Sequence, residues 1–278
     1  MTSSKSEFLK KYGPWAVVTG ASEGIGAAFA AELASKGLNL VLVARREDRL
    51  EAISRELASK FRVEVRIQPT DLASKSSALG LYINTEDLDV GLLVAAAGFG
   101  TSGPMLLTND RVESDLVEVN CAAVLQQCLH YGRRMAAKGR GGLVLFSSVV
   151  AFQGAPFSAN YAASKAYIQA LAEGMGEELK ADGVDVLSVA PGPIASGFAA
   201  RANMNLGQTM TPEVVARVSI AALGKQRTVR PGWLSKLLGW GLSTAPRFLR
   251  VQIMGSIMAN MTKHQRSAKH TGVANNQK

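Results

Sequence analysis

In Tyr161-Ala162-Ala163-Ser164-Lys165 a phenol and an ammonium stand four residues apart, a spacing that puts both on one face of a helix. A lysine cation beside a tyrosine favours the phenolate and lowers its pKa toward working pH, which general acid/base chemistry at the phenol requires. The same lysine could hydrogen-bond a ribose. Such a pair also arises by chance, so its surroundings carry the specificity. Ser147-Ser148 closes an apolar run upstream, and a hydroxyl at the carboxyl end of a strand can donate to a substrate carbonyl oxygen.

A second constellation lies near the start of the chain, Thr19-Gly20-Ala21-Ser22-Glu23-Gly24-Ile25-Gly26, directly after an apolar run and before an Ala-rich stretch. Gly20 permits a tight turn, Gly24 lets backbone approach a pyrophosphate, and Gly26 allows close packing of helix on strand, with the helix N-terminus facing the phosphates. This spacing points to a dinucleotide. Where an NAD-binding chain usually places an acid, after its second strand, Val43-Ala44-Arg45-Arg46 offers guanidinium groups that match a 2′-phosphate. NADP(H) is therefore expected over NAD(H). Ser22 is the second expected contact, Glu23 counts slightly against the phosphate, and Asp71-Leu72 could meet the adenine amine. The bland alternative is that Arg45 and Arg46 pair with Glu47 and Asp48 at a helix start.

The elements that must hold these groups are legible as alternation. Apolar runs at 15–19, 39–44, 63–68, 90–95, 143–147 and 184–190, with a short one at 227–230, read as strands. Stretches of helical period at 26–36, 48–60, 72–84, 109–138, 159–181 and 212–223 lie between them. The pattern is that of repeated βα units and a mostly parallel sheet covered on both faces. No repeat or linker divides residues 1–232, whose cofactor half spans about 10–100. Residues 233–262 read as two short helices parted near Pro246 that extend the same domain, and the polar tail 263–278 as disordered.

Composition excludes several classes. The 278 residues, 47% hydrophobic and 19% charged, suffice for a large core. The net charge of +9 is confined to the last quarter, because Glu213 is the last acid and eleven basic residues follow it. Residues 1–213 are nearly balanced, which argues against nucleic acid as the partner. Cys121 and Cys128 lie about 10 Å apart along a helix and cannot bond. With no apolar run long enough to cross a membrane and no secretory leader, a reducing, cytoplasmic location is expected. His130, His264 and His270 are scattered, so no metal site is expected.

Taken together, the fingerprints from Tyr12 to Gly232 resemble the short-chain dehydrogenase/reductase (SDR) superfamily: Thr19-Gly20-x3-Gly24-Ile25-Gly26, Asp71, Ala97-Gly98, Asn120, Ser148, Tyr161-x3-Lys165 and Pro191-Gly192-Pro193-Ile194-x-Ser196. The interval to Tyr161 selects Ser148 over Ser147. The look is closest to the branch of 3-oxoacyl reductases, hydroxysteroid dehydrogenases and DltE-like oxidoreductases. The resemblance implies a Rossmann-like, doubly wound seven-stranded parallel sheet and carbonyl/alcohol interconversion, the ketoreductase reaction. It implies Tyr161 as general acid/base, Lys165 tuning it, Ser148 polarising the oxygen, and Asn120, in a helix kink, holding a relay water. Pro191, Gly192, Ile194 and Ser196 would contact the nicotinamide, and Ala97 and Gly98 the cofactor. A homodimer or homotetramer is implied through the long helices bearing Asn120 and Tyr161.

One departure is Ala95-Ala96 where the family has Asn-Asn, which puts bracing of the fourth strand in question. That departure motivates the rival reading, a cofactor-sensing or structural protein without turnover. Expected substrate walls are Phe99, Phe152, Phe157, Phe198, Met204, Leu206, Met210 and Trp233, suited to a lipophilic ketone, alcohol, acyl or polyketide chain. Residues 197–211 read as a lid. The extension 233–262 is expected to cap the pocket or form a subunit interface, in preference to lying on a membrane surface.

Overall fold

The computed structural model describes residues 2–233, 235–236 and 244–265. Seven parallel strands form one sheet in the order β3-β2-β1-β4-β5-β6-β7: β1 Trp15–Thr19, β2 Asn39–Ala44, β3 Val65–Pro69, β4 Val90–Ala95, β5 Gly141–Phe146, β6 Val184–Val189 and β7 Thr228–Val229. Strand order reverses between β1 and β4, and the crevice at that point, beyond the carboxyl ends of the strands, is where such sheets bind ligands. Alternate residues of the continuous apolar strands face opposite layers. Ala16, Val18, Leu92 and Val94 pack with helices α2 (Gly24–Ser35) and α3 (Glu47–Phe61), while Val17, Val90 and Leu93 join the core on the other face. That second face carries α4 (Lys75–Ile83), α6 (Ala123–Ala137) and α7 (Ala159–Glu178).

Where boundaries differ from the sequence expectation, the cause is local. Arg62 takes a left-handed conformation, φ 56°, and Asn39 Oδ1 accepts from Glu64 N at 2.9 Å, so the chain joins the sheet at Val65 rather than at residue 63. β5 begins two residues early at Gly141-Gly142, where a side chain on Gly142 would meet the Tyr12 ring at 3.0 Å. Glycines are poor strand formers, and that masks a strand whose neighbour leaves no room for a Cβ. Helix α4 starts at Lys75 rather than 72 because Asp71 Oδ1 accepts from Ala73 N in a preceding turn.

Three elements carry groups to the crevice. The expected 109–138 helix is α5 (Asp110–Val117), a π turn Glu118–Ala122, and α6, and the π turn contains Asn120. A four-residue helix, α8 (Phe198–Arg201), follows β6 within the expected lid, and α9 (Pro212–Ala222) packs on α2. Helix α10 (Arg247–Met261) is capped by Pro246 at the expected break. Residues 237–243, of the first expected C-terminal helix, and 266–278, most of the polar tail, lie outside the described residues. Among the described residues, no helix is long and apolar enough to cross a membrane.

One helix escaped the sequence reading. α1 (Thr2–Tyr12) carries only three apolar residues, Phe8, Leu9 and Tyr12. It is fixed at long range, where Tyr12 Oη donates to Asp185 Oδ2 at 2.5 Å and Lys11 pairs with the same carboxylate.

Candidate active site

The glycine loop is built as its spacing requires. Gly20 (φ 67°) and Gly24 (φ 57°) adopt the left-handed conformation that favours glycine. A Cβ on Gly26 would sit 2.2 Å from the Gly20 carbonyl oxygen, and one on Gly20 would meet the Ala96 carbonyl at 2.9 Å. The loop thus forms a bare backbone cradle at the N-terminus of α2, opening into a cavity of about 930 Å³. Ser22, Glu23, Ile25, Arg45, Asp71 and Leu72 line one end of that cavity, with Ala97 and Gly98 from the end of β4. Such a cradle, with unoccluded backbone and a cation at the tip of β2, fits a dinucleotide.

The two arginines have different surroundings. Arg46 forms an ion pair with Glu23 at 2.9 Å and donates to Ser22 Oγ at 3.1 Å. Its partner is therefore neither Glu47 nor Asp48, and the acid that counted against a phosphate is matched by a cation. Arg45 is exposed at the cavity wall and, among the described residues, forms no ion pair.

At the other end, Ser148, Tyr161 and Lys165 line the same cavity with Pro191, Gly192, Ile194 and Ser196. Ser147 Oγ donates to the Lys165 carbonyl at 3.2 Å, which leaves Ser148 as the hydroxyl for the cavity. Burial raises the Tyr161 phenol to about 12, partly offset by a hydrogen bond from Ser148. The expected lowering by Lys165 is absent from this geometry. Lys165 Nζ donates to the Phe146 carbonyl at 2.9 Å and lies over the Tyr161 ring, 5.6 Å from its centroid. Held to the strand end, the ammonium faces the ring rather than the hydroxyl. Burial also pushes Lys165 down to about 8, with Cys121 pulling the other way.

Asn120 stands behind the cavity, 1% exposed, and does not line it. Its Oδ1 accepts from Phe99 N at 3.1 Å, and its Nδ2 donates to Phe99 O at 2.9 Å and to Ser164 Oγ at 3.1 Å. Both amide hydrogens are committed, so its side chain braces the segment after β4. Thr19 Oγ1 adds a second brace, accepting from Ala97 N at 3.1 Å. These two side chains fix the strand end despite Ala95-Ala96.

The remaining wall of the cavity is largely apolar and only partly the expected one. Phe99, Phe198, Met204 and Leu206 line it, but Phe152, Phe157, Met210 and Trp233 do not. Phe152 packs under the Arg230 guanidinium, 4.4 Å away, and Phe157 (φ 63°) packs in the same apolar cluster as Met204, Met254 and Met258 without lining the cavity. Met210 bridges to Ile194 and faces the main core, while Trp233 is 64% exposed. In their place α10 supplies Met254, Ile257, Met258 and Met261, and Arg201 adds a cation. A four-residue spacing in a separate, basic segment gives these methionines an apolar face, but nothing local says what that face covers.

The sequence model of the family described as short chain dehydrogenase matches residues 14–207. A 7beta-hydroxysteroid dehydrogenase of Collinsella aerofaciens is 30% identical over 236 residues, covering 82% of this chain and 89% of that protein. A human protein named inactive hydroxysteroid dehydrogenase-like protein 1 is 31% identical over 236 residues, 83% of this chain and 72% of its own. The solved structure of a short-chain dehydrogenase from Sphingobium yanoikuyae in complex with NADPH superimposes with a TM-score of 0.74 at 28% identity, covering 78% of this chain and 87% of that one.

Proposed function

The chain belongs to the short chain dehydrogenase family, and from that premise we propose that it is an NADP(H)-dependent oxidoreductase interconverting a carbonyl and a secondary alcohol on a bulky lipophilic substrate. One observation carries the reading: a single cavity joins the glycine cradle and Arg45 at one end to Ser148 and Tyr161 at the other, under a wall of methionines. The NADPH complex of the Sphingobium relative supports the cofactor class.

When bound, the nicotinamide would supply or accept the hydride. Arg45 binds the 2′-phosphate, and the cradle of Gly20, Gly24 and Gly26 holds the pyrophosphate. Tyr161 Oη gives its proton to the substrate oxygen during reduction and takes it back during oxidation, while Ser148 Oγ donates to that oxygen. Lys165, held to the Phe146 carbonyl beside the Tyr161 ring, would reach a ribose hydroxyl of the bound cofactor. Asn120 contributes by positioning Phe99 and Gly98, and any relay water it holds must meet a group other than its amide hydrogens. Met204, Met254, Met258 and Met261 are unbranched and polarisable, so they adapt to a large apolar body such as a sterol or an acyl chain. Exposed Val117, Leu129 and Tyr167 on the α5–α7 face suit pairing with a second copy.

Tyr161→Phe tests the assignment. Turnover of NADPH with bulky ketones should fall by about 10²–10⁴, the usual contribution of a positioned acid/base, while NADPH affinity stays within about threefold. Near-normal turnover overturns it. The human relative named inactive makes the rival concrete: tight NADPH binding by the wild-type chain with no turnover across ketones and the matching alcohols would establish a sensing or structural role instead.

A further inference from the structure

Arg201 ends α8 and lines the cavity that holds Arg45 and Ser22, yet no motif announces it. Its guanidinium stacks on the Phe99 ring, 4.0 Å from the centroid. That platform is rigid, because Asn120 holds Phe99 by both N–H and C=O. The base of Arg201 is fixed as well. Ser102 Oγ donates to Ala202 O and Gln265 Nε2 to Asn203 O, each at 2.6 Å, and Asn205 N donates to Met261 O at 3.0 Å. The arginine thus projects from a segment strapped to the post-β4 loop and to the end of α10.

Among the described residues Arg201, like Arg45, forms no ion pair. Partial burial and then the charge of Arg45 lower its pKa, with Asp71 and Glu23 opposing. Two like charges brought to one cavity repel, Asp71 and Glu23 offset this only in part, and an anion between the arginines removes the repulsion and accepts from both planar forks. The base of α8 lies against the cradle, where a Cβ on Gly197 would meet Glu23 Oε1 at 3.2 Å, and Arg45 stands at the tip of β2, so the anion that the proposed cofactor brings to this end of the cavity is its 2′-phosphate.

We propose that Arg201 is the second wall of the 2′-phosphate site, so that the segment covering the substrate also takes part in choosing NADP(H) over NAD(H). The inference rests on the cofactor assignment above. It makes α8 a specificity element whose placement depends on Gln265 and Met261 at the far end of the chain.

Binding of the full-length protein to 2′,5′-ADP and to 5′-AMP, which differ only by the 2′-phosphate, tests this without turnover. Arg201→Gln should weaken 2′,5′-ADP and NADPH about tenfold, a change of about 1.4 kcal/mol, and leave 5′-AMP and NADH within about twofold. Arg201→Lys should recover part of the loss. Because both arginines share one phosphate, Arg45→Gln and Arg201→Gln should combine non-additively. Arg201 is exposed, so an unchanged melting temperature is the folding control. Equal weakening of NADPH and NADH would place Arg201 on the pyrophosphate and overturn the proposal. Unchanged NADPH affinity with a raised KM for carboxylate-bearing substrates alone would make it a substrate anchor and overturn it too. A wild-type chain that binds NADH as tightly as NADPH would instead remove the cofactor assignment beneath it.

Discussion

Replacing Asn120 with alanine tests whether its amide is a structural brace. In the wild-type chain the amide satisfies Phe99 N–H and Phe99 C=O, both buried. Alanine leaves both backbone groups without their partner, at about 1–3 kcal/mol each, so about 2–6 kcal/mol in all. Ser164 loses little, because its hydroxyl still donates to Tyr161 O at 2.8 Å. Against a typical domain stability of about 5–15 kcal/mol, that is a large fraction. At about 2–4 °C per kcal/mol for a chain approaching this size, the melting temperature should fall by roughly 5–20 °C. Urea unfolding followed by circular dichroism gives the free energy directly, with the slope unchanged if only the native state is affected. NADPH affinity should drop with it, because Phe99 and Gly98 border the cofactor channel. A cooperative transition within about 2 °C of wild type, with reduced turnover and intact NADPH binding, would refute the brace and return Asn120 to a purely catalytic role.

Two further outcomes follow from burial. All five tyrosines are raised above their ordinary value, chiefly by burial: Tyr12, Tyr82, Tyr131, Tyr161 and Tyr167. A spectrophotometric titration should therefore show little tyrosinate in the native chain at about pH 10, where the unfolded chain is about half ionised; substantial native tyrosinate at that pH would contradict the packing. Their raised values contribute stability that is present below about pH 10 and lost above it. Lys165 works in the opposite sense, since burial pushes its folded pKa down to about 8, below the ordinary lysine value of 10.5. The unfolded state then holds more protons between about pH 8 and 10.5, and the cofactor-free protein gains stability across that window. Lys165→Met should be more stable than wild type at pH 7, with the advantage shrinking as pH rises to about 10; a constant difference across that range would sink the argument.

The sequence by itself determined whatever depends on near neighbours along the chain. Continuous apolar runs alternating with helical period specify a parallel sheet, because a strand buried on both faces has no polar side to show. Gly20, Gly24 and Gly26 are legible because the cradle is one turn of backbone, and Tyr161 and Lys165 because a helix fixes their spacing. Only the tertiary structure decided which groups meet across long separations. It spends Ser147 on Lys165 and leaves Ser148 to face Tyr161, aims Lys165 at Phe146 rather than at the phenol, and pairs Arg46 with Glu23, while Arg45 forms no ion pair among the described residues. It also leaves Phe152, Phe157, Met210 and Trp233 out of the cavity lining and puts α10 there. An aromatic or methionine is equally apolar in a core, a side cluster or a pocket, and composition cannot distinguish these. What separates them is the path of the chain: α10, some fifty residues after Arg201, returns through Met261 and Gln265 to the segment around it and completes a cavity whose other walls come from residues between Gly20 and Leu206.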